Sequence, residues 1–265
     1  MNPTLLSKLR HLRLSGMAEA LPGRLTQATG ASLPHLEFLE LLVEDELNRR
    51  ADRLFTRRVK QAEITQIKEI KDFDWVFNPK IPRAKLAELA AARFVTLHED
   101  VLLIGPPGVG KSHIATAIAV GAIRAGYRVL VRSAFDLAQD FLEAEALQQR
   151  KQLVTRLTKI DLLVIEDFGM KRLGPNAAED LLEVFVRRHE KASTVITTNR
   201  PPEDWGQFLG DIPATTAILD RFLEHAEVVR MNGKSYRLRR RSDAQTSEEE
   251  TENADLAGGG ETQDK

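Results

Sequence analysis

Val101–Ser112 reads VLLIGPPGVGKS, and the rest of the chain is understood by working outward from it. Four apolar residues run into a glycine-rich turn, then Lys111, Ser112 and a helix-like run from His113. The spacing is G-x-x-x-x-G-K-[ST], with Gly105 and Gly110 as the fixed glycines and Pro106, Pro107, Gly108 and Val109 between them. Gly105, Gly108 and Gly110 let backbone N–H groups wrap a phosphate without Cβ clashes. A helix starting near Gly110 points its positive dipole end at the same anion. Lys111 reaches the β- and γ-phosphates, and the Ser112 hydroxyl ligates Mg²⁺. The required context, a strand before and a helix after, is present.

Downstream, Ile114–Ala125 reads as a helix closed by Gly126, and Val129–Val131 as a second strand. Ser133 caps a helix beginning at Ala134, and helical sequence continues to about Lys159. Leu162–Ile165 is an apolar strand, Ala177–Glu190 a helix, Thr194–Thr198 a strand, Thr215–Leu223 a helix and Ala226–Met231 a last strand. Strands alternating with helices predict an α/β fold whose mostly parallel sheet is covered on both faces. Ligand chemistry is expected at the carboxyl ends of its strands.

Three features fall at such ends. Glu166 and Asp167 follow the strand LLVI; beside a phosphate loop, one acid holds Mg²⁺ and its neighbour orients or deprotonates the attacking water. In isolation the same pair also reads as exposed turn residues. Asn199 can hydrogen-bond the γ-phosphate or the lytic water, and Asn before Arg-Pro is equally a good turn residue. Arg221, in LDRF, suits either an arginine donated to a neighbouring subunit's transition state or a plain helix surface.

Upstream, Leu5, Leu6, Leu9, Leu12 and Met17 predict a short amphipathic helix, with breaks expected at Pro22-Gly23 and Gly30–Pro34. A longer helix runs from about His35 to Val59, and Leu36, Leu39, Val43, Leu47, Ala51 and Leu54 form one apolar stripe on it. Beside the stripe lie Arg49, Arg53, Arg57 and Lys60, with Arg50 and Arg58 adding to the cluster. Residues 49–60 hold six bases and one acid, a net of +5. That charge fits a helix tracking DNA phosphates and fits as well a solvated face partly paired with Glu46 and Asp52. Phe73–Pro82 reads as a linker, stopped from being helical by its two prolines; its aromatics pack on the next domain, either as core or near a nucleotide base.

The bulk numbers bound the class. The 265 residues suffice for one α/β core plus a smaller domain. The chain has no cysteine, which excludes disulfides, thiolate nucleophiles and Cys-based zinc sites. The six histidines show no metal-ligand spacing in sequence. No apolar run approaches a membrane span and no leader is evident at the N-terminus, so a cytoplasmic, nucleoid-associated location is expected. The net charge of −1 hides an uneven distribution. Residues 242–265 hold eight acids against Lys265, a tail expected to be disordered. Residues 1–241 hold 37 bases and 31 acids, a net of +6, a balance that permits nucleic-acid binding.

GPPGVGKSHIA (105–115), LLVIEDFG (162–169), ITTNRPPEDWG (196–206), LDRF (219–222) and GKSYR (233–237) occur in this order and spacing. Together they closely resemble the IstB-like helper ATPases of bacterial insertion sequences, relatives of the DnaC helicase loaders in the AAA+ initiator group. The resemblance covers about residues 1–240. It implies a helical DNA-binding domain over 1–72, a linker over 73–100 and an AAA+ ATPase domain over 101–241, followed by the acidic tail, 242–265. It further implies that Gly105–Ser112, with His113 next to it, binds ATP and that Glu166-Asp167 stands at the Walker B position. Asn199 resembles sensor 1, Arg221 a trans arginine finger, and Arg237 the arginine of the last conserved-type box. Such proteins assemble on duplex DNA as ATP-dependent homo-oligomers and hand the target site to a transposase. The initiator group also carries an extra helix lining the DNA path, which Arg150, Lys151, Arg156 and Lys159 would serve, with Lys171 and Arg172 nearby; a solvated helix face fits those residues as well. The alternative within the resemblance is a DnaC-like loader that binds single-stranded DNA and a replicative helicase. A metabolic P-loop kinase is a third class, for which no phosphate-acceptor lid is evident.

Two departures stand out. The acidic pair runs Glu-Asp rather than beginning with Asp, so the carboxylate in the water-activating place is one methylene short, about 1.5 Å less reach; slow turnover is expected. Only 34 residues follow Met231, most of them acidic tail, which leaves no room for the helical lid usual in AAA+ proteins. Closure over the nucleotide is then expected from the linker, a neighbouring subunit or DNA.

Overall fold

The computed structural model describes residues 3–174 and 176–238. The acidic tail and Arg239–Arg241 lie outside them. The chain divides into two compact units, 1–61 and 62–265.

The first unit is helical: α1 (Pro3–His11), α2 (Ser15–Ala31) and α3 (His35–Gln61). Met17 belongs to α2, and the break expected at Pro22-Gly23 does not occur, because α2 runs through both residues. Pro22 costs one backbone hydrogen bond, and side-chain pairing with α3 offsets it. Arg24 binds Asp45 through two bonds of 2.8 and 2.9 Å. Glu46 accepts the N–H groups of Gly16 at 2.7 Å and Met17 at 3.2 Å, satisfying donors of α2's first turn. The expected break at Gly30–Pro34 is present, with Ser32 left-handed at φ 50°. The apolar stripe on α3 is real in sequence but differs in use. Leu36, Leu39, Val43, Leu47, Ala51 and Leu54 are exposed, whereas the buried residues of α3 are Leu42, Glu46 and Val59.

The second unit starts at Ala62, eleven residues before the linker expected from Phe73. Ala62 is fully buried and its carbonyl accepts the N–H of Val131 at 2.9 Å, while Glu63 pairs with Arg132 and Arg156. After a 3-10 turn at Ile70–Asp72 come α4 (Arg83–Ala90), directly after Pro82, and α5 (Arg93–Thr96). Then follow β1 (Asp100–Ile104), α6 (Lys111–Arg124), β2 (Val129–Ser133), α7 (Ala134–Ala146), α8 (Arg150–Lys159), β3 (Leu162–Phe168), α9 (Ala177–Arg188) and β4 (Ser193–Thr198). A second 3-10 turn, α10 (Trp205–Leu209), α11 (Ile212–Glu224) and β5 (Ala226–Arg230) complete the unit. The long helical stretch expected between the second and third strands is two helices, as the extra helix implied by the resemblance requires, with Gln148 at φ 56° between them.

The five strands form one sheet of order β2-β3-β4-β1-β5, parallel at every pairing. Alternation along the strands splits the core. Leu102, Leu130, Leu163, Ile165 and Ile196 join one cluster with α7 to α11. The alternate residues Val101, Leu103, Val164 and Val195, equally buried, serve the other face, where α6 packs against the sheet and α4 against α6. Both faces are therefore covered, as a parallel sheet requires. No helix among the described residues is long and apolar enough to cross a membrane.

Candidate nucleotide-binding site

The phosphate loop leaves β1 and enters α6 with Gly108 at φ 83° and Gly110 at φ 105°, conformations that glycine alone adopts without strain. Three glycines also make room for other segments. A Cβ on Gly105 would collide with the Met231 carbonyl, one on Gly108 with the Ser235 hydroxyl, and one on Gly110 with the Phe73 ring. The loop is thus clasped from two sides. Met231 N–H donates to Ile104 O at 2.8 Å and Tyr236 N–H to Gly108 O at 2.9 Å. Asn78 ties the two clasps together, accepting from Lys234 N–H at 2.8 Å and donating to Lys234 O at 3.0 Å.

Between these segments lies a cavity of about 410 Å³. Pro107, Gly108, Val109, Gly110, Lys111, Ser112 and His113 line its floor, with Asp167, Thr198, Asn199 and Arg237. Its remaining wall comes from the linker and the residues just before it, chiefly Lys68, Phe73, Phe77 and Asn78, together with Tyr236. Phe77 and Tyr236 meet edge to face, centroids 5.3 Å apart, and Phe73 meets His113 likewise at 5.4 Å. His113 Nε2 lies 3.1 Å from Glu69 O. Phe73 and Phe77 of the linker therefore line the cavity, Phe73 being buried as well, while Trp75 packs on Phe73.

Lys111 donates to the carbonyls of Gly105 at 2.7 Å and Pro106 at 2.9 Å; those two residues hold the lysine instead of lining the cavity. Burial lowers the Lys111 pKa, with Asp167 pulling it back up and Arg237 pushing it further down. Those three charges therefore act on one another within the site.

The two acids part ways. The pairing of β3 with β4 is irregular between Ile165 and Phe168, and Asp167 sits there at φ 56° with its N–H on Thr197 Oγ1 at 3.1 Å. A bulge of this kind re-aims a side chain, and Asp167 lines the cavity. Glu166 does not line it. One carboxyl oxygen of Glu166 is buried without a hydrogen-bond partner, and burial, reinforced by Asp167, raises its pKa to about 7 against the pull of Lys68.

Arg221 does not line the cavity, and its Nη1 donates to Ala217 O at 3.1 Å in the same helix. Of the basic cluster on α3, Arg49 pairs with Glu19, Arg50 with Glu46, and Arg53 donates to Ser15 Oγ. Arg57, Arg58 and Lys60 make no ion pair among the described residues. On α8, Arg150 is held by Asp180 at 2.9 Å and Glu183 at 2.6 Å, and Arg156 by Glu63 at 2.9 Å, while Lys151 is exposed. Sequence reasoning missed Lys68, Asp72 and Met170 at the cavity. Nothing in their local pattern marks them: Lys68 and Asp72 reach the cavity through the fold of the segment before the linker, and Met170 through the turn after β3, where its N–H meets Asp167 O.

A phosphate loop at the carboxyl edge of an all-parallel sheet, faced by a bulged acidic strand end, defines a P-loop ATP-binding domain of the AAA+ class. Solved structures share the fold. AMPPCP-bound DnaA from Aquifex aeolicus superposes with a TM-score of 0.52 at 19% identity over 62% of this chain and 50% of that one; this chain spans about half the length of that protein. The crystal structure of DnaI superposes with a TM-score of 0.50 at 20% identity, over 63% of this chain and 89% of that one. Within the class, the chain belongs to the IstB-like ATP binding proteins, whose family pattern matches residues 7–244. An insertion sequence IS21 putative ATP-binding protein of Pseudomonas aeruginosa is 37% identical over 91% of this chain and 89% of its own length. A putative ATP-binding protein in an insertion sequence of Mycobacterium tuberculosis is 36% identical over 93% and 98%.

Proposed function

We propose that this protein is an ATP-hydrolysing helper of a transposase, assembling as a homo-oligomer on duplex DNA and deforming it, with hydrolysis resetting the assembly. The observation that carries the ATPase part is the single cavity that joins the phosphate loop to Asp167, Asn199 and Arg237. The residues present fit Mg²⁺-ATP. Gly108 and Gly110 hold left-handed conformations that leave the loop backbone free of side chains, and Glu166, the neighbour of cavity-lining Asp167, carries a buried carboxyl oxygen without a hydrogen-bond partner. Ser112 and Glu166 would hold the Mg²⁺, which neutralises charge on the phosphates when bound.

In this reading Lys111 leaves the Gly105 and Pro106 carbonyls to meet the β- and γ-phosphates, and Asn199 and Arg237 contact the γ-phosphate end. Asp167 accepts the proton of the attacking water. Phe73, Phe77 and Tyr236 enclose the base, giving the closure that a helical lid gives elsewhere. Arg221 faces no nucleotide in its own protomer, which suits a finger supplied to a neighbour. Arg49, Arg50, Arg53, Arg57, Arg58 and Lys60 on α3, and Arg150, Lys151 and Arg156 on α8, are the proposed phosphate contacts on DNA. Among them Arg57, Arg58, Lys60 and Lys151 carry the assignment best, since ion pairs occupy Arg49, Arg50, Arg150 and Arg156 and the Ser15 hydroxyl occupies Arg53. The insertion-sequence setting of the relatives supports a transposase as partner.

The test is electron microscopy with an ATP analogue and Mg²⁺, in parallel on a duplex and on a single strand of equal length. Closed or helical assemblies on the duplex, lost in Arg221→Ala, are the expected result. Assembly on the single strand alone would replace this reading with that of a DnaC-like loader, and assembly on neither would overturn the DNA role while leaving the ATP site.

A further inference from the structure

The nucleotide cavity occupies the carboxyl edge of the sheet. At the opposite edge, where β4 and β5 begin, two helices end side by side. His189 is the C-cap of α9 and His225 the C-cap of α11. Their rings stack with centroids 5.9 Å apart and 24° between planes. Glu224 Oε2 lies 3.5 Å from His189 Nε2, and Glu190 Oε1 lies 3.6 Å from His225 Nε2. One ligand atom each from His189, Glu224 and His225 fall within 4.8 Å of one another.

We infer that His189, His225 and Glu224 form a binding site for a transition-metal dication of the zinc class, with Glu190 within reach as a fourth ligand. Four observations converge on it. The donor set is two imidazoles and a carboxylate, the mixture that suits Zn²⁺, Ni²⁺ or Cu²⁺ rather than the all-oxygen shell of Mg²⁺ or Ca²⁺. Two helix C-termini bring their negative dipole ends to the same point, which favours a cation there. The backbone that carries the ligands is fixed: His189 N–H donates to Phe185 O at 2.9 Å, and His225 O accepts Asp100 N–H from β1 at 3.1 Å. The side chains of Glu224 and His225 are exposed, so rotation alone closes a 4.8 Å spread to the roughly 3.4 Å between ligand atoms around a tetrahedral zinc.

The histidines show no metal spacing in sequence because the ligands come from different helices, and packing of α11 on α9 alone brings them together. An ion there would clip these two helix ends, and α11 carries Arg221 one turn earlier. The site does not depend on the ATPase reading.

The experiment uses the full chain, untagged and free of nucleotide. Calorimetry with Zn²⁺ alone is expected to show one saturable site. Cu²⁺ alone is expected to give an electron paramagnetic resonance spectrum with coupling to two imidazole nitrogens. His189→Gln and His225→Gln should each weaken Zn²⁺ binding by at least about tenfold, with binding of a fluorescent ATP analogue unchanged. Glu224→Gln gives a third variant should a histidine variant fail that control. Absence of saturable Zn²⁺ binding would overturn the inference. So would a Cu²⁺ spectrum with oxygen ligands only, as the acids of 242–265 would give, or variants that bind Zn²⁺ as the wild type does.

Discussion

Glu166 and Asp167 are neighbours in the chain with opposite environments. Glu166 continues the strand, half-buried, with one carboxyl oxygen fully enclosed; Asp167 turns left-handed and lines the cavity. Burial holds the Glu166 carboxyl protonated up to about pH 7, whereas a carboxyl in the unfolded chain ionises near pH 4.5. The folded state therefore binds the extra proton between those values, and the stability this gives is complete below pH 4.5 and lost as pH rises through 7. In nucleotide-free protein with chelator, Glu166→Gln should raise stability by about 2 kcal/mol at pH 8 and hardly at all at pH 4.5, read by denaturant unfolding at both pH values. Asp167→Glu restores the reach lost by the shorter acid. It should increase steady-state ATP hydrolysis several-fold at unchanged ATP affinity; an equal or lower rate would remove the proposed role of Asp167 in setting slow turnover.

At the scale of elements, single buried polar residues fix how the pieces meet. Arg188, at the end of α9, is almost fully buried and donates to Leu157 O at 2.6 Å, Ile160 O at 2.7 Å and also to Ser193 O. It thereby joins α8, the turn into β3, and the start of β4. Burial lowers its pKa to about 10, so it stays charged at neutral pH beside the buried Asp100. Arg188→Met should cost about 3–5 kcal/mol, because three carbonyls lose their donor and the buried Asp100 carboxyl loses a nearby positive charge; thermal or urea unfolding checks it. In the helical unit the corresponding position is Gly16. A Cβ there would strike the Glu46 backbone and the Asp45 carbonyl. Gly16→Ala should therefore cost about 1–3 kcal/mol, measurable as a loss of cooperative unfolding stability, while Gly23→Ala on the same helix meets nothing within 4 Å and should be neutral or stabilising.

Across the whole molecule, the proposal of a trans arginine makes a stoichiometric prediction. Mixing Arg221→Ala protein, which keeps an intact cavity, with Lys111→Ala protein, which keeps Arg221, should restore part of the hydrolysis that either lacks alone. Wherever an Arg221→Ala site receives the arginine of a Lys111→Ala neighbour, a sound nucleotide site meets a sound finger; the reverse order stays inactive. Rates that merely average the two variants would mean that Arg221 does not act on a neighbour's site.

Much of the second unit was legible along the chain. The five strands, the capping Ser133 and the glycine loop are local patterns, because apolar alternation, φ-permissive glycines and N-caps are decided by residues a few positions apart. The phosphate loop, Asp167 and Asn199 as cavity residues follow from the rule that chemistry gathers at the strands' carboxyl ends. What tertiary structure alone decided are the contacts between distant segments. The clasp of 231–236 over Gly105 and Gly108, the wall of linker residues around Phe73, and the use of Leu42 and Glu46 rather than the apolar stripe of α3 all depend on which surfaces approach. So does the meeting of His189 with His225. Local sequence sets backbone preference at each position, but the faces that meet are chosen by the summed packing of the whole chain, and no single stretch carries that sum.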